Sequence, residues 1–118
     1  MHYQHLKNFI ETKVRKNDTF VPATILFLIR NNGKGDVKQI AKLLYIFDYK
    51  HSLEHYETVV EKFSTKLLES YHIIHKKEQT YILNTWPLSE DEIDDISLRC
   101  SKISNGFFSN LSSKVTQD

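Results

Sequence analysis

Between residues 48 and 66 the chain gathers side chains that can meet phosphates and the polar edges of bases. If the stripe through Leu53, Tyr56, Val60 and Phe63 faces a core, helix geometry turns His51, His55, Thr58, Lys62 and Thr65 outward, with Lys66 beside them. Lys and His donate to phosphates or base acceptors, and Thr does either. Glu54, Glu57 and Glu61 share the helix and repel phosphate wherever they point at it. HSLEH, residues 51–55, also fits the His-x-x-Glu-His pattern of inverted zinc peptidases. Ser52 is a natural N-cap, however, which places His51 outside the helix, and no downstream glutamate supplies a third ligand. No metal is expected.

Further lysines gain meaning from position. Lys76 and Lys77 stand between two short apolar runs, HII and YIL, that read as a hairpin, and Lys34, Lys38 and Lys42 precede the polar turn DYKH at 48–51. The candidates for contact with a phosphate backbone are therefore Lys38, Lys42, Lys76 and Lys77 around the turn-helix segment 48–66. Glu90, Asp91, Glu92, Asp94 and Asp95 form a carboxylate cluster that reads as the solvated first turns of a helix. There is no Gly-rich phosphate loop, no G-x-S-x-G and no His-Asn-His constellation, so the residues read as non-catalytic and without a cofactor.

The elements that must position these side chains follow from periodicity. Tyr3, Leu6, Phe9 or Ile10, and Val14 recur at helical spacing, and Asn17-Asp18-Thr19 supplies a break. Pro22 suits the first turn of a second helix whose Ala23–Arg30 stretch is apolar nearly all round, marking it as the buried centre. Asn31 to Gly35 ends that helix; Asp36-Val37 reads as a very short strand, and Ile40, Leu43, Leu44 and Phe47 resume helical spacing. From Ser52 a stripe of Leu53, Tyr56, Val59, Val60, Phe63, Leu67 and Leu68 follows. A break or bend is expected near 63–65, where Ser64 or Thr65 would cap a second piece.

The hairpin comes next, with Ile73, Ile74, Tyr81 and Leu83 as anchors and Lys76-Lys77 at its tip. A lone hairpin is marginal in water, so those four residues must pack on the helices. In LSEDEI, Ser89 and Glu92 make a capping box, with Leu88 and Ile93 as the staple around it. Ile93, Ile96, Cys100, Ile103 and Phe107 then recur at coiled-coil spacing, a stripe that covers the domain's own core or a second copy.

Composition agrees with one ordinary domain over residues 1–118, its core at about 20–86 and its last helix at about 89–110. Of 118 residues 40% are apolar and 26% charged, with 3 Gly and 2 Pro. Cys100 is the only cysteine, which excludes an internal disulfide and a cysteine zinc finger. The first residues lack a signal-peptide apolar run, and ATILFLI falls short of the roughly 20 residues that span a bilayer. A cytoplasmic location without membrane contact is expected. The net charge of +1 conceals a division at Trp86-Pro87: 13 Lys and Arg against 9 Asp and Glu before it, and 3 against 6 after it.

The expected class is α+β, mostly α: a winged helix-turn-helix with an extra N-terminal helix and a long C-terminal one. The segment from Val21 to Phe108 resembles the winged-helix module found at the N-terminus of many HNH-type and restriction-type endonucleases. The resemblance is carried by Pro22 opening an apolar helix that ends in NNGKG, then QIAKLL, the Tyr56 helix, KLLESYHII, Tyr81-x-Leu83 and LSEDEIDDISLRCSKISNGF. FSTKLL departs from it in lacking a proline near its start. What the resemblance implies is a module that binds double-stranded DNA and works with a nuclease domain or subunit, either as its recognition part or as an accessory. A protein-interaction or dimerisation module, or a small transcription regulator using the last helix, is the competing reading.

Overall fold

Phe20–Arg30 is the element that the others surround. In the computed structural model, which describes residues 3–14, 20–48 and 50–103, this helix (α2) buries Val21 through Leu26 together with Leu28 and Ile29. Such a distribution is what a helix apolar on every side requires. Pro22 lies in its first turn, whose N–H groups have no intrahelical acceptor to lose. Leu6, Phe9 and Ile10, the buried residues of the otherwise polar α1 (Tyr3–Lys13), join the same core. Asn17-Asp18-Thr19, expected as a break, lies outside the described residues.

After α2 the chain reverses through Asn32 and Gly33, both at positive φ (59° and 80°), and the Gly33 N–H closes onto the Leu28 carbonyl at 2.6 Å. A Cβ on Gly33 would lie 2.3 Å from Cγ of Trp86, so glycine is required there by conformation and by space. The short strand that follows is Lys34–Gly35 (β1) and not Asp36-Val37. The reason is local: Asp36 Oδ1 accepts the Gln39 N–H at 2.8 Å while Gln39 Oε1 accepts the Asp36 N–H at 3.0 Å. That reciprocal pair caps α3 (Val37–Asp48) and commits Asp36 to the helix.

The next helix begins at Leu53 and runs to Ser70 in three pieces: α4 (Leu53–Val59), a π-helical turn (Val60–Ser64) and α5 (Thr65–Ser70). Its buried residues Tyr56, Val60, Ser64 and Leu68 are spaced by fours. Three steps of four in a regular α-helix drift about 40° each, enough to carry the stripe off the core. The wider π turn, in which the Thr65 N–H reaches Val60 O, absorbs that drift. Two expectations are corrected as a result. Phe63 is 68% exposed and Leu53 is also exposed, whereas Thr65 is fully buried, its hydroxyl donating to Val60 O at 2.8 Å and placed 3.1 Å from Glu61 O. The expected bend at 63–65 is present as the π turn, but neither Ser64 nor Thr65 caps a new helix, since both keep right-handed helical dihedrals.

Strands β2 (Ile74–Lys77) and β3 (Thr80–Leu83) form the hairpin, and β1 pairs on the far side of β3, giving an antiparallel sheet of order β1-β3-β2. Ile73, Ile74, Tyr81 and Leu83 are all buried, as their anchoring role demands. The strands are longer than the apolar runs, so Lys76 and Lys77 sit within β2, paired with Tyr81 and Thr80, and the tip is Glu78-Gln79. Glu78 takes the positive φ (60°) of a tight hairpin turn.

α6 (Glu90–Ile103) starts with the expected capping box, the Glu92 N–H on Ser89 Oγ at 3.2 Å and the Ser89 N–H on Glu92 Oε1 at 2.9 Å. Ile96 and Cys100 are buried, and Leu88, Ile93 and Ile103 pack against the core, so the stripe covers this molecule's own interior; Phe107 lies outside the described residues. Burial pushes the Cys100 thiol up to about 12. Polar contacts tie α6 to α1: the Tyr3 hydroxyl donates to Asp95, Arg99 Nε donates to Asp95 at 3.0 Å, and Arg99 also pairs with Glu11. Among the described residues no helix is long and apolar enough to cross a membrane.

Two stability measurements follow from these contacts. Gly33→Ala combines a left-handed backbone with overpacking against Trp86 and should lower unfolding free energy by about 1–3 kcal/mol in urea titrations. Burial, then the bond to Asp95, raises the Tyr3 phenol to about 12, while the Tyr3 and Arg99 bonds hold Asp95 below the usual carboxylate range. The depressed Asp95 contributes stability in full above its unfolded value of about 4, lost as pH falls through the folded one; the raised Tyr3 contributes in full below pH about 10, lost as pH rises toward 12. Tyr3→Phe should therefore flatten the alkaline limb of urea midpoint against pH and shrink the acid limb; identical profiles for the two proteins would contradict this clamp.

Candidate functional site

The turn before α4 is organised by Ser52, which is extended (φ −72°, ψ 160°) and accepts the His55 N–H on its hydroxyl at 3.1 Å. This is the N-cap read from the sequence, and it leaves His51 outside the helix. The two imidazoles nonetheless meet: the His51 and His55 rings lie 4.2 Å apart, both exposed, with their edges toward the buried ring of Tyr56. The ring of Tyr45 on α3 also meets Tyr56, centre to centre at 6.2 Å. An aromatic floor thus presents two histidines at the start of α4. Among the described residues no group of three or more His, Cys, Asp or Glu is arranged to hold a metal ion.

One turn further on, Thr58 is exposed, but its hydroxyl donates to Glu54 O at 3.1 Å, which leaves it acceptor capacity toward a ligand. On the hairpin, alternation places Lys76 on the face of Ile74 and Lys77 on the opposite face. Lys76 Nζ lies 5.5 Å from the centre of the Tyr81 ring, so the lysine stem is held across the strand pair. The remaining hairpin histidines are exposed, and His75 is committed to Asn84, whose amide donates in turn to His72 O at 2.7 Å.

A groove of about 460 Å³ runs between the hairpin, the start of α3 and α4, lined by Asp36, Val37, Lys38, Glu57, Glu61, Lys76 and Gln79. Three carboxylates face two amines there, so the groove is no uniform cationic surface. Lys42 is exposed on α3, and Lys77 is exposed on the outer face of the hairpin.

Lys62 and Lys66 belong elsewhere. They border a second cleft, of about 670 Å³, on the other flank of the same helix, where Lys13, Phe20, Phe63, Ser64 and Leu67 also contribute. The ten residues singled out from the sequence therefore divide into four groups. Lys38 and Lys76 line the hairpin groove, while His51, His55, Thr58, Lys42 and Lys77 are exposed outside both clefts; Lys62 and Lys66 border the second cleft; and Thr65 is interior and drops out as a contact residue. Sequence reading missed Lys13 and Phe63 as members of the second cleft. The signal was present in the four-residue steps Tyr56, Val60, Ser64 and Leu68, which a regular helix cannot keep on one face.

The chain matches no family model, no curated protein and no solved structure.

Proposed function

We propose that this chain is a winged helix-turn-helix domain that binds double-stranded DNA without acting on it chemically. The observation that carries the reading is topological. A buried helix, a short strand, two helices separated by a polar turn, and a hairpin occur in that order, with sheet order β1-β3-β2. In that arrangement α4 follows α3 as the second helix of a helix-turn-helix, and the hairpin stands beside it as a wing.

The chemistry of the exposed residues fits this use. A helix entering the major groove reads bases from its N-terminal part, which is where His51, His55 and Thr58 stand. Lys38 and Lys42 on α3, with Lys76 and Lys77 on the wing, then neutralise phosphates on either side. Glu57 and Glu61 limit how deeply this helix can lie: they oppose phosphate in the wing-side groove and leave its N-terminal half as the reading edge. A carboxylate on that edge can also accept from the N4 amine of cytosine, so Glu54 belongs among the side chains that would discriminate sequence. Work alongside a restriction-type nuclease, as its recognition part or as an accessory, is the role that the resemblance implies, and it rests on that resemblance.

Fluorescence anisotropy with labelled duplexes, modified and unmodified, tests the reading. Affinity should fall steeply with salt, by a slope of about 0.9 for each phosphate neutralised, and substituting Lys38, Lys42, Lys76 and Lys77 by Ala together should weaken binding to every sequence. Absence of binding at about 10⁻⁴ M protein and low salt would sink it. Glu57→Gln with Glu61→Gln should act in the opposite direction, tightening binding to any duplex, because two phosphate-repelling charges leave the groove while the hydrogen-bonding outline stays.

A further inference from the structure

We propose that the cleft bordered by Lys62 and Lys66 receives the acidic face of α6 from a second copy of this chain, so that the protein associates head to tail. The cleft is a consequence of the π turn. Widening the helix at Val60–Ser64 turns Phe63 out to 68% exposure and draws Ser64 inward, to 1%. Ser64 borders the cleft, and its hydroxyl oxygen is buried with no hydrogen-bond partner among the described residues. A buried hydroxyl without a partner is costly, and π turns recur where a helix has a ligand to meet. Phe20, Phe63 and Leu67 give the cleft an apolar floor, Lys13, Lys62 and Lys66 give it an amine rim, and among the described residues no carboxylate lines it. With Phe63 and all three lysines exposed it is too open to enclose a small molecule, so what fits it is a protruding surface with an apolar knob and negative charge.

The chain carries such a surface on α6. Asp91, Asp94 and Leu98 are exposed and spaced i, i+3, i+7, which puts them on one helix face, and Leu98 is 55% exposed. Asp95 and Arg99, their neighbours, compensate each other and are taken up by Tyr3 and Glu11. Asp91 and Asp94 make no ion pair among the described residues, and neither do Lys62 and Lys66. Lys102 follows Leu98 by one turn, so the negative end of the face is the one N-terminal to the leucine. α6 rests on its own molecule through Ile96 and Cys100 and contributes no residue to the cleft. Leu98 seated on Phe63 and Leu67, with Asp91 and Asp94 against the lysines, therefore joins two molecules through different surfaces, the geometry that propagates.

Few side chains meet in this contact, so association is weak, concentration-dependent and weakened by salt. Sedimentation equilibrium at low salt, up to about 1 mM protein, is the test. The weight-average mass of the wild-type chain should rise with concentration, and Lys62→Glu with Lys66→Glu, Asp91→Lys with Asp94→Lys, Phe63→Ser and Leu98→Ser should each hold it at the monomer value. All these positions are exposed, and circular dichroism verifies that each variant is folded. Mixing the two charge-reversed proteins in equal amounts, or combining all four reversals in one chain, should restore the rise. A wild-type protein that stays monomeric throughout, a reversal that leaves association unchanged, or a folded mixture of the two reversed proteins that stays monomeric overturns the proposal.

Discussion

The packing of Tyr56, Val60, Ser64 and Leu68 against α2 is the constraint on which the rest of the molecule depends. Four positions at equal steps of four hold the helix from Leu53 to Ser70 to the core only because one turn of it is wound more loosely. Everything on its outer surface is set by that choice. Upstream of the loosened turn His51, His55 and Thr58 face solvent, with Glu57 and Glu61 turned to the hairpin groove; within and after it Phe63, Lys62 and Lys66 swing to the flank facing α1. One sequence of exposed side chains is thereby divided between two unlike surfaces, one mixed in charge and polar, the other apolar and rimmed by amines.

A second constraint is the way charges are used. Several carboxylates that add to the acidity of the chain do structural duty: Asp36 and Glu92 cap helices, and Asp95 and Glu11 hold Arg99. A carboxylate that closes an N-terminus offsets the partial positive charge of the unpaired N–H groups there and contributes little field at a distance. The lysines are engaged far less: among the described residues none forms an ion pair, and Lys13 and Lys76 have only the rings of Tyr71 and Tyr81 beside their amines. Counting formal charges therefore understates the cationic character of the described surface around the Phe63 cleft.

Much of the architecture was legible in the residues because local rules and burial agree there. The apolar α2, the Ser52 cap, the Ser89–Glu92 capping box and the four hairpin anchors all combine a local signal with a matching core position. The failures cluster where a local pattern admitted two answers. Asp36-Val37 has the composition of a strand end, yet the Asp36–Gln39 exchange of hydrogen bonds starts a helix. Leu53, Phe63 and Leu67 alternate with Tyr56 and Val60 at spacings of three and four that a regular helix would bury, and only a stripe of fours through a serine and past a threonine competes with it. Ranking residues by hydrophobicity selects Phe63 over Ser64; nothing local reports that Thr65 can return its hydroxyl to Val60 and Glu61 and so be buried without an unmet bond. The candidate site inherited this error at Thr65, and at Lys62 and Lys66, whose flank depends on the same turn.

Cys100 shows what such a core means for the chemistry of the chain. Its thiol is fully buried in the core, and burial holds it as the protonated form well above neutral pH. Only the thiolate is reactive, so in the folded molecule this sulfur is silent toward oxidants and alkylating reagents. It becomes a nucleophile when α6 leaves its place. The single cysteine is thus an internal clock for the detachment of that helix: its rate of modification counts openings of the fold, and does so without any label being added to the molecule.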